Sequence, residues 1–169
     1  MKKFELTNEF VTNMFGTKLF RIRALVEFGD VEAGELGGYV EKESNLGHDD
    51  NAWVYGDARV YDNALVYDNA RVYGDAWVYG NARVCGDALV CGDARVCGNG
   101  DYAYAHGFGS VNRTTTFFRL KDGGVGVRCG CFYGTLAQFR DKIRETHGET
   151  KKAQEYLMLA DLMKLRFEK

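Results

Sequence analysis

The 169-residue sequence contains no proline, and it lacks phenylalanine between Phe28 and Phe108. At ordinary usage a chain of this length would hold about eight prolines and about twelve glycines. It holds 21 glycines instead. Glycine enrichment without proline excludes a collagen-like chain and a proline-rich linker. A hydrophobic content of 46% also excludes a disordered chain.

Long apolar runs are missing as well. No stretch approaches the roughly 18 residues of a transmembrane helix. The start Met1-Lys2-Lys3-Phe4-Glu5 becomes acidic too early for a signal peptide. We therefore expect a cytoplasmic protein with no membrane contact, whose five cysteines remain free thiols in a reducing compartment.

Charge of one sign is unevenly distributed along the chain. Residues 1–112 carry 10 Lys/Arg and 17 Asp/Glu, whereas residues 113–169 carry 12 and 7. The net charge of −2 therefore conceals an acidic first part and a basic second part. This asymmetry predicts two surfaces with different electrostatic preferences.

What the sequence does contain is a six-residue repeat that runs unbroken from Asn51 to Gly98. Each unit reads Asx-Ala-x-Val-(Tyr/Cys)-(Gly/Asp). Because Ala and Val lie two positions apart, both point to one side of a strand and the variable residue points to the other. Gly or Asp followed by Asn or Asp supplies a bend. Short strands joined by bends predict a coil, in which three units close a triangular turn of about 18 residues.

This pattern resembles the hexapeptide-repeat superfamily, whose fold is a left-handed parallel β-helix. The aliphatic position of that family is matched by Val54, Val60, Val66, Val72, Val78, Val84, Val90 and Val96. Its small residue is matched by Ala52, Ala58, Ala64, Ala70, Ala76, Ala82, Ala88 and Ala94. Val40 and Leu46 also lie six apart, and we expect them to begin the solenoid, with two extra residues inserted before Val54.

The segments on either side of the repeat predict smaller elements. Residues 17–28 have the alternation of a strand that caps the open end of the solenoid. Asp122-Gly123 marks a β-hairpin turn. Thr135 and Gln138 form a capping box that starts one helix, and a second helix is predicted from about Thr150 to Arg166.

The predicted fold class is therefore mainly β. It consists of a left-handed parallel β-helix, or triangular solenoid, with an N-terminal β cap and a C-terminal ββαα lobe. The predicted domains are 1–36 for the cap, 37–104 for the β-helix and 105–169 for the lobe.

Residues one turn apart stack at about the β-strand spacing of ~4.8 Å. This register predicts two outward columns and two tyrosine stacks: Arg59-Trp77-Arg95, Trp53-Arg71-Leu89, Tyr55 on Tyr73, and Tyr61 on Tyr79. Arg, Trp and Tyr are the residue types enriched at binding hot spots, which favours a flat surface for a partner. The alternative is that these side chains only pack along the sheet.

The histidines are the candidate catalytic residues. Hexapeptide-repeat acyltransferases generally use a His as general base, and the resemblance leaves His48, His106 and His147 as candidates. His106 is the best placed, just after the last coil. Those enzymes commonly extrude a loop that helps to build the acyl-donor pocket, whereas this repeat has no such interruption. We therefore favour a protein without catalytic residues.

The cysteines do not predict a metal site. Cys85, Cys91 and Cys97 are six residues apart and should lie on three different faces, beyond disulfide reach. Cys129 and Cys131 should share one strand face, which is a weak metal signal by itself. We predict no metal and no cofactor.

Four basic residues crowd the predicted turn between the two helices: Lys142, Arg144, Lys151 and Lys152. Such a cluster is either an ordinary solvated face or a contact for an acidic protein or a nucleic-acid backbone. The modest charge excess and the pI of about 5.9 argue against general DNA binding.

Nearly the whole chain is also similar to short phage- and prophage-encoded proteins, through RIRALVEFGDVEAGELGGYVEKESNL, the hexapeptides and VNRTTTFFRLKDGGVGVRCGCFYGTLAQF. This resemblance implies a non-catalytic accessory protein that binds or inhibits a host protein or ribonucleoprotein, such as a defence component. The alternatives are an acyltransferase that uses His106 and a sponge for a nucleotide signal, and homo-oligomerisation stays open. The predicted partner-binding residues are Trp53, Arg59, Arg71, Tyr73, Trp77, Tyr79, Arg95, Lys142, Arg144, Lys151 and Lys152.

Overall fold

The computed structural model describes residues 1–109 and 111–169. It consists of an N-terminal hairpin, a parallel β-solenoid and a C-terminal lobe with two helices. The elements are β1 (Phe4–Thr12), β2 (Lys18–Ala24), β3 (Leu36–Val40), β4 (Trp53–Val54), β5 (Arg59–Val60), β6 (Leu65–Val66), β7 (Arg71–Val72), β8 (Trp77–Val78), β9 (Arg83–Val84), β10 (Leu89–Val90), β11 (Arg95–Val96), β12 (Tyr102–Phe108), β13 (Arg113–Arg119), β14 (Val125–Cys129), β15 (Phe132–Thr135), α1 (Leu136–His147) and α2 (Lys151–Phe167).

The solenoid has three faces, each a parallel sheet. Strands β3, β5, β8 and β11 form the first face, β4, β7 and β10 the second, and β6 and β9 the third. Each repeat strand pairs with the strand three units later, so that Arg59 lies opposite Trp77 and Trp77 opposite Arg95. The solenoid predicted from the six-residue period is confirmed.

The first turn is longer than the others. Val40 pairs with Val60, and Leu46 bridges to Val66, each two residues further along than the repeat spacing. Val54 pairs with Val72 at the regular spacing. This confirms that the solenoid begins at Val40 and Leu46 with two extra residues before Val54.

The interior of the solenoid is made of small side chains. Every Ala and Val of the eight repeat units is 1% exposed or less. Burying a Val stabilises the fold by about 1.5–3 kcal/mol relative to leaving it in water. The backbone donors are used between turns, as in Arg59 N–H to Ala76 O at 2.9 Å and Tyr61 N–H to Val78 O at 3.1 Å. A proline could not donate such a bond, which accounts for its absence from the repeat.

The N-terminal hairpin closes one end of the solenoid. Strands β1 and β2 pair antiparallel, and β2 continues the sheet of the first face beyond β3. Lys3 is buried there, and its ammonium donates to Ala52 O at 2.8 Å. Pairing and capping of this kind cover a sheet edge that would otherwise be open. Strand β1 was not expected from the sequence.

The C-terminal lobe is a four-stranded antiparallel sheet in the order β12-β13-β14-β15, with α1 and α2 packed against it. The hairpin predicted at Asp122-Gly123 is β13–β14. The sheet has two strands more than that hairpin, and β12 crosses the expected domain boundary at residue 104. Helix α1 begins after the Thr135 cap, whose hydroxyl accepts from Gln138 N–H at 3.2 Å, and it ends at Gly148. Neither helix, nor any other in the described chain, has the length and apolar character to cross a membrane.

The lobe covers the other end of the solenoid. Thr116 on β13 accepts the backbone N–H of Leu89 at 3.0 Å, and Lys121 N–H donates to Asp93 O at 2.9 Å. Phe118 is fully buried within the same core cluster as the repeat valines. The last turn therefore ends against the sheet of the lobe. Phe118 joins the lobe to the solenoid core, whereas the helices pack on a separate cluster.

Candidate functional site

The outer surface of the first face carries a column of alternating arginines and aromatics. Trp77 lies between two guanidinium groups, with Arg59 Cζ at 5.3 Å and Arg95 Cζ at 4.1 Å from its ring centroid. The strand register fixes this arrangement, because the three residues occupy equivalent positions of β5, β8 and β11. The predicted column of Arg59, Trp77 and Arg95 is present, and all three side chains are half-buried.

The column continues towards the N-terminal hairpin. Arg21 on β2 pairs with Tyr39 on β3, and Tyr39 pairs with Arg59. The Arg21 guanidinium lies 4.6 Å from the Tyr39 ring centroid and donates to the Tyr39 hydroxyl at 2.8 Å. We name the five residues Arg21, Tyr39, Arg59, Trp77 and Arg95 the Arg–aromatic column. Sequence reasoning missed Arg21 and Tyr39 because they precede the repeat.

Positive charge on this column is only partly compensated. Arg21 forms an ion pair with Glu9 at 2.9 Å. Within the part of the chain that the structure describes, Arg59 and Arg95 form no ion pair. Arg95 instead donates to the backbone oxygen of Asp75 at 2.8 Å. The column is thus a local source of positive charge on a solenoid segment, 37–104, that holds five Lys/Arg and eleven Asp/Glu.

Two tyrosines form the border of the column. Tyr61 and Tyr79 stack with ring centroids 5.2 Å apart and planes within 9° of parallel. Tyr61 also contacts the edge of Trp77 at 6.3 Å between centroids. Burial raises the pKa of Tyr61 to about 12, because its hydroxyl is shielded from water. Leu19, Tyr39 and Tyr61 form a small buried cluster on the outer surface of this face.

Trp53 does not belong to any accessible surface. The expectation that it points outward beside Arg71 and Leu89 is correct for the register but wrong for exposure, because Trp53 is 0% exposed. Phe4 and Phe28 pack edge-on against its ring at 6.2 and 5.3 Å. The N-terminal segment therefore covers this first position of the second face and removes Trp53 from the candidate partner-binding residues.

Arg71 and Tyr73 lie on the second face, away from the Arg–aromatic column. Arg71 forms an ion pair with Asp30 at 3.2 Å, and the Tyr55 hydroxyl donates to the same carboxylate at 3.0 Å. The Tyr55 and Tyr73 rings meet edge-on, with planes at 90°, rather than in a parallel stack. The predicted partner-binding residues of the solenoid thus divide between two faces.

The basic cluster lies where the sequence predicts it. Lys142 and Arg144 are exposed near the end of α1, and Lys151 and Lys152 are exposed at the start of α2. Lys142 pairs with Glu145 at 3.3 Å and Arg144 with Asp141 at 3.6 Å. Exposed pairs of this kind contribute little to stability. They do reduce the positive charge that two of the four residues offer to a partner.

His106 is exposed on β12, and its Nδ1 lies 2.8 Å from Thr114 Oγ1. His48 makes structural contacts with the N-terminal segment: its Nδ1 accepts the backbone N–H of Lys3 at 3.1 Å, and its ring stacks on Phe4. Burial lowers the pKa of His48.

The cysteines are all free thiols. Cys85, Cys91 and Cys97 follow strands of the third, second and first face, as the spacing predicts. The expectation that Cys129 and Cys131 share a strand face is wrong, because Cys129 pairs with Phe132 and Gly130-Cys131 form the loop between β14 and β15. Among the described residues, no group of three or more His, Cys, Asp or Glu side chains is arranged to hold a metal ion.

The comparisons with known proteins identify the repeat. The sequence model of the YdcK beta solenoid repeat matches five overlapping stretches: 52–67, 58–74, 64–80, 76–92 and 82–98. Together they cover just over a quarter of the chain. A search of curated proteins finds no match. The central segment is therefore a hexapeptide-repeat-like β-helix similar to that repeat family.

Proposed function

We propose that this protein is a non-catalytic binding protein whose Arg–aromatic column contacts an acidic protein surface. The observation that carries the proposal is the Arg59-Trp77-Arg95 sandwich. It presents two guanidinium groups, neither of which forms an ion pair with a described residue, around one half-buried indole on the first face. Arg and Trp are the side chains that most often contribute large shares of binding energy at interfaces.

The rigidity of the solenoid supports this function. Strand register fixes the backbone of the column, and stacking on Trp77 restricts the side chains of Arg59 and Arg95, so that less side-chain entropy is lost when a partner binds. The distribution of charge supports it as well. Arg59 and Arg95 attract an acidic partner to the first face, whereas the many Asp and Glu side chains elsewhere on the solenoid repel it. The similarity to phage- and prophage-encoded proteins favours a factor of the bacterial cytoplasm, such as a defence component, as the partner.

Capture from a bacterial lysate with matched variants tests the proposal. We expect the wild-type chain to retain at least one acidic protein that Trp77→Ala/Arg95→Ala loses. Arg83→Ala is the matched control, because Arg83 occupies the equivalent repeat position on the third face and is exposed. If the double variant and the wild type capture the same proteins, the column is not the binding surface.

Incubation with acetyl-CoA and a panel of amine and sugar acceptors tests the absence of catalysis. We expect no acylated product. Product formation that disappears in His106→Ala would replace the binding function with acyl transfer.

A further inference from the structure

A groove runs between the second face of the solenoid and the C-terminal sheet. One part of it is a cavity of about 450 Å³ lined by Tyr55, Arg71, Tyr73, Leu89 and Arg128. The solenoid supplies four of these residues, and β14 supplies Arg128. Because the two walls come from distant parts of the sequence, the groove could not be seen in the repeat pattern.

Arg128 is the unusual residue of this groove. Its Nε is buried without a hydrogen-bond partner, and its guanidinium carbon lies 5.7 Å from the Tyr73 ring centroid. It also forms no ion pair with any described residue. A buried donor left unsatisfied lowers the stability of the fold, and more so when it belongs to a charged group. Arg128 as a whole is only half-buried and lines the cavity, so an anionic ligand can meet its guanidinium group through atoms other than Nε.

A second cavity of about 490 Å³ extends the groove along the solenoid. It shares Arg71 and Leu89 with the first and adds Arg113, from the start of β13. Three guanidinium groups therefore line the combined space. Both volumes fall in the range of about 300–1,000 Å³ that is usual for small-molecule sites.

Two carboxylates also face the groove. Asp30 at its rim binds Arg71 and the Tyr55 hydroxyl, and Asp87 lies in the wall of the second cavity. Asp30 compensates the charge of Arg71, whereas Arg113 and Arg128 have no ion-pair partner among the described residues. An incoming anion is thus expected to interact with Arg113 and Arg128 rather than with Arg71.

We propose that this groove binds a small phosphorylated molecule with a planar ring, of the nucleoside monophosphate class. Guanidinium groups match phosphate oxygens in pairs, which favours phosphate over a halide or a simple hydrophobic ligand. The rings of Tyr55 and Tyr73 and the side chain of Leu89 provide the apolar wall for the planar part. Burial raises the pKa of both tyrosines to about 12, which reflects how far the two side chains are shielded from water. This site is independent of the Arg–aromatic column.

Isothermal titration with AMP, adenosine and inorganic phosphate tests the proposal. We expect AMP to bind at least about tenfold more tightly than either fragment, since only AMP engages both the arginines and the apolar wall. Arg128→Met should weaken AMP binding by about tenfold or more while leaving the thermal midpoint unchanged or higher, because Nε loses no hydrogen bond. If Arg128 only stabilises the fold, Arg128→Met should instead lower the thermal midpoint and bind AMP like the wild type.

Two further variants keep the test decisive. Arg71→Gln removes the ion-pair partner of Asp30 and so leaves an uncompensated carboxylate beside the groove, which should also weaken AMP binding, even if Arg128→Met fails to fold. Arg83→Met on the third face and Trp77→Ala on the column should leave it unchanged. The proposal is overturned if millimolar AMP gives no binding heat, if phosphate alone binds as well as AMP, or if Arg128→Met and Arg71→Gln both bind like the wild type.

Discussion

The solenoid and the C-terminal lobe bury their apolar side chains in different ways. Inside the repeat the core is made mainly of Ala and Val from eight similar units, and Trp53 joins it where Phe4 and Phe28 cover the first unit. The lobe instead depends on Phe117, Phe139, Tyr156 and Phe167, which pack between one sheet and two helices. Stability is therefore spread over many small contacts in the solenoid and concentrated in a few aromatic contacts in the lobe.

This difference explains why the surfaces of the two parts differ. A repeat whose core is uniform leaves its outward position free to vary, and the column of arginines and aromatics uses that freedom. The lobe has no equivalent series, but its sheet closes the last turn and supplies the Arg128 wall of the groove. In a solenoid each unit is stabilised mainly by its neighbours, so an interruption in the middle should propagate.

The largest expected effect comes from Val72→Asp in the middle turn. Val72 is 0% exposed and pairs with Val54 and Val90 on either side. A carboxyl group there costs several kcal/mol even when it becomes protonated, a large part of the roughly 5–15 kcal/mol of a typical domain. We expect no cooperative unfolding transition by circular dichroism. Arg83→Asp, at an exposed position, should fold, and a folded Val72→Asp protein would contradict the uniform core.

Phe139→Ala should have the next largest effect, confined to the lobe. Phe139 contacts the rings of Phe117, Phe132 and Tyr156 at 5.9, 5.6 and 5.8 Å between centroids. Removal of a buried Phe side chain costs about 3–5 kcal/mol. Hydrogen exchange should show faster exchange in α1 and α2 with the middle solenoid turns still protected. Phe15→Ala, at an exposed hairpin tip, is the control. Equal loss of protection in both parts would show that they unfold as one unit.

Two bend glycines of the solenoid should differ in their tolerance of alanine. Gly56 and Gly74 both have positive φ, but a Cβ on Gly56 meets nothing within 4 Å. One on Gly74 would lie 2.9 Å from Gly92 N. The left-handed backbone alone costs about 1–2 kcal/mol for a residue with a side chain. We expect Gly56→Ala to lose that amount and Gly74→Ala to lose more, by urea denaturation. Equal losses would mean that the bend relaxes freely.

The sequence predicts the solenoid well because its geometry follows from the length of the repeat and the number of repeats in each turn. Once the period is six and three units close a turn, the partners of Trp77 are fixed as Arg59 and Arg95. The helix caps at Thr135 and Thr150 are equally local, since each depends on a side chain and a backbone N–H three residues later. Features that rest on spacing along the chain are therefore readable from the sequence.

Features that depend on contacts between distant segments are not readable in this way. Trp53 has the same repeat position as Trp77, but Phe4 and Phe28 cover it. Arg21 joins the column only because β2 pairs antiparallel with β3. Arg128 reaches the groove because the lobe docks on the last turn. Each case requires knowing how a non-repeating segment packs on the solenoid, and no periodicity in the chain encodes that.

The smallest expected effect at neutral pH is that of Tyr61→Phe, which becomes visible only in alkali. Tyr61 is 5% exposed, and burial raises its pKa to about 12, above the ordinary value of about 10 for an unfolded chain. Between these two pH values the unfolded chain has lost the phenolic proton and the folded chain keeps it. The free energy of unfolding therefore falls as the pH rises from about 10 to about 12.

Urea denaturation should give nearly equal stability for Tyr61→Phe and the wild type at pH 8. Above pH 10 the variant should become the more stable of the two, because Phe has no proton to lose. If the difference does not change with pH, the Tyr61 hydroxyl is hydrated, and the cluster it forms with Leu19 and Tyr39 is looser than the interior of the solenoid.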